Sequence, residues 1–186
     1  LGRKDRRGRI PNRVSIDQRP ASVDTKRYYG DWEGDLIVGK KHEGAALTLV
    51  ERKTKHCLIY PLEGKRADEV MLAMIVALWP FIGKLRSITL DNGKEFSGHE
   101  TVSAVLGTRI YFAHPYSSWE RGLNENTNGL IRQYLPKSRR LDNVTQKELK
   151  HSMDQLNHRP RKTLGFKTPY ELFFKKNTLL TVALAS

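Results

Sequence analysis

Three strand-like runs follow one another almost without a break, residues 31–39, 45–51 and 56–62, and this crowding limits the folds open to the chain more than any other feature. A parallel neighbour requires a crossover of about a dozen residues or more, and the links 40–44 and 52–55 are far shorter. The runs therefore predict an antiparallel meander. After it the periodicity alternates. Asp68 to about Pro80 reads as a helix, Arg86–Asp91 as a strand, Ser97–Leu106 as a helix and Arg109–Phe112 as a fifth strand. Helices follow, from about Leu123 to Tyr134, from Thr145 to Asn157 with Thr145 and Glu148 as a capping box, and from near Thr168-Pro169. The expected fold class is α/β, with three antiparallel strands first and helices around the sheet.

Alternation along the first strand puts Asp31, Glu33 and Asp35 on one face and Trp32, Gly34, Leu36 and Val38 on the other. A row of like charges on a central strand is costly unless a cation or a basic partner sits among them. At an exposed edge the same acids would only discourage pairing with another chain. Asp91 closes the fourth strand and precedes Asn92-Gly93, a turn pair that by itself marks nothing more than a turn. In the helix after Trp119, Glu125, Asn128 and Arg132 recur at i, i+3 and i+7, as they also would on a solvated face. Asp35, Asp91 and Glu125 taken together offer hard oxygen donors from two strands and a helix, the donor set that divalent cations prefer. Two such ions about 3.5–4 Å apart support in-line displacement at phosphorus.

The formal charge of +13 is uneven. Residues 1–30 carry 9 Lys and Arg against 3 Asp and Glu, residues 31–119 carry 11 against 11, and residues 120–186 carry 13 against 6. Basic ends around a neutral middle suit a polyanion, and nucleic acid is the expected partner. Arg132, Lys137, Arg139 and Arg140 are candidates for a phosphate track beyond Glu125, with Asn128 beside them; a solvated polar face is the alternative. Residues 1–28 hold Pro11 and Pro20, show no apolar period and are expected to form a basic arm that stays out of the core. The chain opens Leu-Gly-Arg-Lys and reads as a fragment of something longer.

Other chemistries find little support. There is no GxxxxGK[ST] loop, no paired zinc spacing among the six His and one Cys, and no nucleophile elbow. The single Cys57 excludes an internal disulfide, fits a reducing compartment and reads as core, as do Trp32, Trp79 and Trp119. His114 before Pro115 is expected to serve structure or nucleic-acid contact. The longest apolar stretch, Val70 to Ile82, is too short to span a bilayer and contains Pro80.

Several long words of the sequence resemble the bacterial transposases of the insertion sequence thirty family: Trp32-Glu-Gly-Asp35, Asp91-Asn-Gly-Lys-Glu-Phe96, His114-Pro-Tyr, the stretch from Trp119 to Tyr134, and Asn157-His-Arg-Pro-Arg-Lys-Thr-Leu-Gly-Phe-Lys-Thr-Pro169. They also share the retroviral-integrase core pattern. The resemblance covers about Tyr29 to Phe174 and implies an RNase H-like fold with a mixed five-stranded sheet. It implies a 1–28 linker, a 29–175 catalytic domain and a 176–186 tail, with an upstream helix-turn-helix region not visible here. It further implies an Asp-Asp-Glu triad at Asp35, Asp91 and Glu125 and two Mg²⁺ ions, with Mn²⁺ able to substitute. The implied chemistry is hydrolysis at transposon ends and attack of the freed 3′-hydroxyl on target DNA. The implied setting is a homo-oligomer on DNA in the bacterial cytoplasm, at the nucleoid, with no membrane. Two competing expectations are an RNase H-like nuclease without strand transfer and a DNA-binding protein that keeps the fold without activity.

Overall fold

The computed structural model describes residues 10–174. The expected tail 176–186 and the first nine residues of the arm lie outside the described residues. Strands β1 (Asp31–Val38), β2 (Ala45–Glu51) and β3 (Cys57–Leu62) form the meander. Helix α1 (Ala67–Leu78) leads to β4 (Ser87–Leu90), and α2 (His99–Leu106) to β5 (Arg109–Phe112). Helices α3 (Gly122–Ile131) and α4 (Gln146–Asn157) follow, and residues 169–174 are helical. The expected elements are present, with ends that differ by up to three residues. The largest difference is at α3, where the amides of Gln133 and Tyr134 bond to the carbonyls of Leu130 and Ile131 and tighten the last turn. At α4 the Thr145 and Glu148 capping box is formed.

The sheet order is β3-β2-β1-β4-β5. β1 is the middle strand, antiparallel to β2 and parallel to β4, so it lies where the meander meets the parallel half. Helices cover both faces. Trp32, Leu47, Leu49 and Leu90 pack with Met74 and Leu78 of α1 and with Val102 and Leu106 of α2. On the opposite face Ile37, Ala46, Val50 and Ile59 pack with Leu123 and Ile131 of α3 and with Leu149 and Leu156 of α4. The mixed α/β architecture of the sequence analysis is what the chain adopts.

The carboxylates of β1 point to the α3 side, and the first two are as buried as the core, Asp31 and Glu33 each being 1% exposed. Such burial requires partners. Asp31 accepts from the Ser87 hydroxyl at 2.7 Å across the β1–β4 pair, with the Arg86 guanidinium 3.6 Å away. Glu33 pairs with the buried guanidinium of Arg52 and accepts the backbone N–H of Asn124 at 2.8 Å, so it also caps the first turn of α3. Of the two sequence alternatives for this acidic row, the exposed edge is ruled out, since β1 has a neighbour on each side.

Two expectations are corrected. The arm does not stay out of the core over residues 10–28, because Ile10 and Val23 are buried. The chain here lies along the outer edge of β5, where the Phe112 amide bonds to the Val14 carbonyl at 2.9 Å and Ser15 bridges Phe112 in parallel. An unpaired strand edge offers backbone groups that a non-periodic segment can satisfy, and an apolar residue here and there suffices to anchor it. Trp32 is core as expected, but Trp79 and Trp119 are 55% and 73% exposed. Trp79 follows the last turn of α1 on its outer side, and Trp119 sits in a 3₁₀ turn before α3 while Leu123 takes the buried position. Cys57 is buried, which pushes its thiol up to about 12. Among the described residues no helix is long and apolar enough to cross a membrane.

Because Glu33 would be left as an unpaired buried charge, Arg52→Ala is expected to cost about 3–5 kcal/mol of unfolding free energy. Urea unfolding measures this, and a loss below about 1 kcal/mol, the range of an exposed pair, would contradict the account.

Candidate active site

β1 carries its third carboxylate, Asp35, to the point where burial ends. The Asp35 side chain is 25% exposed and that of Asp91, just past the tip of β4, is 35% exposed. Both sit at the C-terminal side of the parallel pair, the usual place for a site in a sheet of this kind. Local geometry fixes each carboxylate. One Asp35 oxygen accepts the Leu36 amide at 2.8 Å, and one Asp91 oxygen accepts the Gly93 amide at 2.8 Å, closing the turn that Asn92-Gly93 predicts. Asn92 is held in turn by Arg13 of the arm and by the Ala113 carbonyl.

The remaining oxygens, Oδ2 of each, converge on one cation. Arg121 places Nη1 3.5 Å from Asp35 Oδ2 and Nη2 3.5 Å from Asp91 Oδ2, and Nη1 also donates to the Gly34 carbonyl at 3.3 Å. Asn128 Nδ2 donates to the same Asp35 oxygen at 3.0 Å. Burial raises the Asp35 pKa, the Arg121 charge opposes that rise, and the Asp91 charge adds to it.

Arg121 occupies the N-cap position of α3 and Asn128 lies two turns on, and both reach Asp35. Glu125 stands between them on the same stripe, four residues after one and three before the other, with an exposed side chain. The structure thus brings Asp35 and Asp91 around one guanidinium and leaves Glu125 apart from them, on the same stripe of α3 as Arg121 and Asn128. Among the described residues no group of three or more His, Cys, Asp and Glu lies close enough to hold a metal. The donor set nonetheless suits a hard divalent cation, since two carboxylate oxygens already turn toward a single positive group and a third acid stands on the adjoining helix face.

The basic candidates are largely engaged within the fold. Arg132 donates to the carbonyls of Val38 at 2.9 Å and Leu135 at 3.4 Å, tying the end of α3 to the end of β1. Arg139 pairs with Glu148 at 2.7 Å, Arg140 with Glu43 at 2.9 Å and Asp142 at 2.5 Å, and Lys137 is exposed. His114 links two segments beside the site: Nδ1 is 2.8 Å from Glu120 of the loop before α3, and Nε2 is 3.0 Å from Asp17 of the arm. Those two hydrogen bonds raise its pKa.

Sequence reasoning passed over Arg52 and Arg121. Arg121 had a visible signal, its place four residues before Glu125 on the same helical stripe, whereas nothing in the sequence pairs Arg52 with Glu33. Asn124 was also missed: its side chain accepts from the Thr48 hydroxyl at 3.2 Å and helps seat α3 on β2.

No family model matches the chain. Among curated proteins it is 48% identical over 180 residues to the transposase for insertion sequence element IS4351 of Bacteroides fragilis, covering 97% of this chain and 55% of that protein. It is 45% identical over 173 residues to the transposase InsI for insertion sequence element IS30A of Escherichia coli K12, covering 91% of this chain and 45% of that one. The chain spans about half the length of the curated relatives it matches. Among solved structures, the catalytic core domain of BIV integrase superposes with a TM-score of 0.61 at 21% identity, covering 82% of this chain and 98% of that one. The HTLV-2 integrase catalytic core domain in complex with magnesium superposes with a TM-score of 0.58 at 23% identity, covering 77% and 95%. These likenesses establish an RNase H-like integrase-core fold, and the sequence identities make the chain similar over nearly its whole length to insertion-sequence transposases, that of IS30A among them.

Proposed function

We propose that the chain is the catalytic segment of a DNA transposase, which hydrolyses phosphodiester bonds at transposon ends and joins the freed 3′-hydroxyl to target DNA. The single observation that carries this is the convergence of Asp35 and Asp91 on one cation at the tip of the parallel strands, beneath the helix that presents Glu125. The transposase relatives, matched over nearly the whole chain, supply the substrate class.

In this proposal Asp35, Asp91 and Glu125 hold Mg²⁺, or Mn²⁺ in its place. The bound metal supplies activation of the attacking oxygen and stabilisation of the leaving oxygen at phosphorus. The protein's own part is to keep the carboxylates ionised and aimed. A carboxylate must be deprotonated to ligate, and burial works against that at Asp35, so the Leu36 amide and the Asn128 and Arg121 side chains serve to hold the charge. Asn128 and Arg132 act as holding residues for β1 and α3, while Lys137, Arg139 and Arg140 are proposed to meet DNA phosphates from the segment after α3. Self-association on DNA ends is part of the same proposal.

Asp35→Asn, Asp91→Asn and Glu125→Gln are each expected to lower Mg²⁺-dependent cleavage and joining of transposon-end DNA by at least about a thousandfold, through loss of metal-held charge at the reacting phosphate. A nicking and strand-transfer assay reads both steps. Activity retained by all three variants would refute the site, and cleavage of uncut ends with no joining of supplied precut 3′-hydroxyl ends to target would favour a nuclease.

A second expectation concerns protonation in chelator-treated buffer. The Asp35 carboxyl titrates above the ordinary aspartate range, and Asp91→Asn lowers its midpoint, because a like charge is removed and Arg121 is left to Asp35 alone. Carboxyl-carbon NMR follows the titration, and an unchanged or higher midpoint would contradict the geometry.

A further inference from the structure

We infer that Arg121 is a built-in cation for the Asp35–Asp91 pair, one that contends with the divalent metal for the same oxygens and sets how tightly that metal is held. The inference deepens the proposed function and rests on it. Three observations carry it. The guanidinium faces both Oδ2 atoms at the same 3.5 Å, a position between the carboxylates rather than against one of them. Its distances are long for charge-assisted hydrogen bonds, which run about 2.7–2.9 Å, so it neutralises the pair without locking to either. The side chain is itself almost wholly enclosed, at 11% exposed, and its Nε has no hydrogen-bond partner.

A buried donor left unsatisfied costs free energy, so Arg121 is not in a resting place chosen for its own hydrogen bonding. What keeps it there is the electrostatic need of two carboxylates that would otherwise repel each other across the β1–β4 gap. A divalent cation meets that need better, with twice the charge at shorter range. Arg121 occupies the N-cap position of α3, where its backbone is at φ −123° and ψ 33°, outside the helical repeat. The side chain therefore leaves from the hinge between the exposed 3₁₀ turn of Trp119 and the first turn that carries Glu125. Release from the carboxylates would free a guanidinium at the start of α3, one turn before Glu125, where it would be available to an anionic substrate.

The test is a calorimetric Mn²⁺ titration of the wild-type chain, Arg121→Gln and Arg121→Lys, with Asp35→Asn as the control for the site. Gln keeps a donor for the Gly34 carbonyl and removes the charge; it is expected to bind the first Mn²⁺ about tenfold more tightly, the size of effect a neighbouring like charge has at a partly exposed position. Lys, which keeps the charge, is expected to stay near wild type. Equal or weaker binding by Arg121→Gln, with binding still abolished by Asp35→Asn, overturns this inference and leaves the proposed function standing. Absence of Mn²⁺ binding in every variant overturns both.

A second measurement on the wild-type chain covers the case in which Arg121→Gln does not fold. The Arg121 guanidinium nitrogen signals in NMR are expected to shift and average on Mg²⁺ addition, as the group loses its two carboxylates. Unchanged Arg121 signals at Mg²⁺ concentrations that move the Asp35 carboxyl signal overturn the inference; if neither moves, the proposed metal site fails with it.

Discussion

Three carboxylates spaced two residues apart on the middle strand of a sheet present an electrostatic problem, and much of this fold is arranged to solve it. Asp31 accepts from Ser87 and faces Arg86, Glu33 pairs with Arg52 and accepts from the first turn of α3, and Asp35 accepts from Asn128 and faces Arg121. The solutions are graded. The inner two acids are sealed, while the third sits where the sheet opens and shares its cation with Asp91 of the neighbouring strand. A strand that carries paired structural charge at its start and a candidate ligand further along fixes the site to the middle strand of the sheet, where secondary structure holds it in place.

The same charges orient α3. Glu33 accepts an amide of its first turn, Asn124 bonds to Thr48 of β2, and Asn128 reaches Asp35. Arg132 then ties the far end to Val38. Along its length the helix is stitched to β1 and β2 by polar contacts in addition to Leu123 and Ile131, so the face bearing Glu125 cannot rotate without breaking several of them at once. The arm adds an outer support: Arg13 holds Asn92, and Asp17 with Glu120 grips His114 beside the loop that leads to Arg121.

Much of this was legible in the sequence, and the boundary of legibility has a physical cause. Periodicity and short apolar runs gave β1 to β5 and α1 to α4, because the helices bury one face and the central strands β2 and β4 bury both, and Thr145 with Glu148 announced the start of α4. The acidic face of β1 was visible in the alternation of Asp31, Glu33 and Asp35. Its partners were not, since Arg52 lies across a hairpin and Arg86 and Arg121 come from later elements, and no local pattern encodes such pairings. Ile10 and Val23 escaped notice because an edge-covering segment needs no period. Trp119 was misjudged on its apolar neighbours, although a tryptophan in a turn has no face to bury. Resemblance to the insertion sequence thirty family supplied the RNase H-like sheet, and the integrase-core superpositions agree with it.

The central claim is that Asp35, Asp91 and Glu125 form one cation site from which Arg121 is displaced. Its most direct test is a crystal structure of the chain in Mn²⁺ with anomalous scattering. The account predicts an anomalous peak about 2.0–2.3 Å from oxygens of Asp35 and Asp91, with the Glu125 side chain turned toward it and Arg121 withdrawn. Arg121 still between the two aspartates at saturating Mn²⁺, with the peak elsewhere or missing, would contradict it.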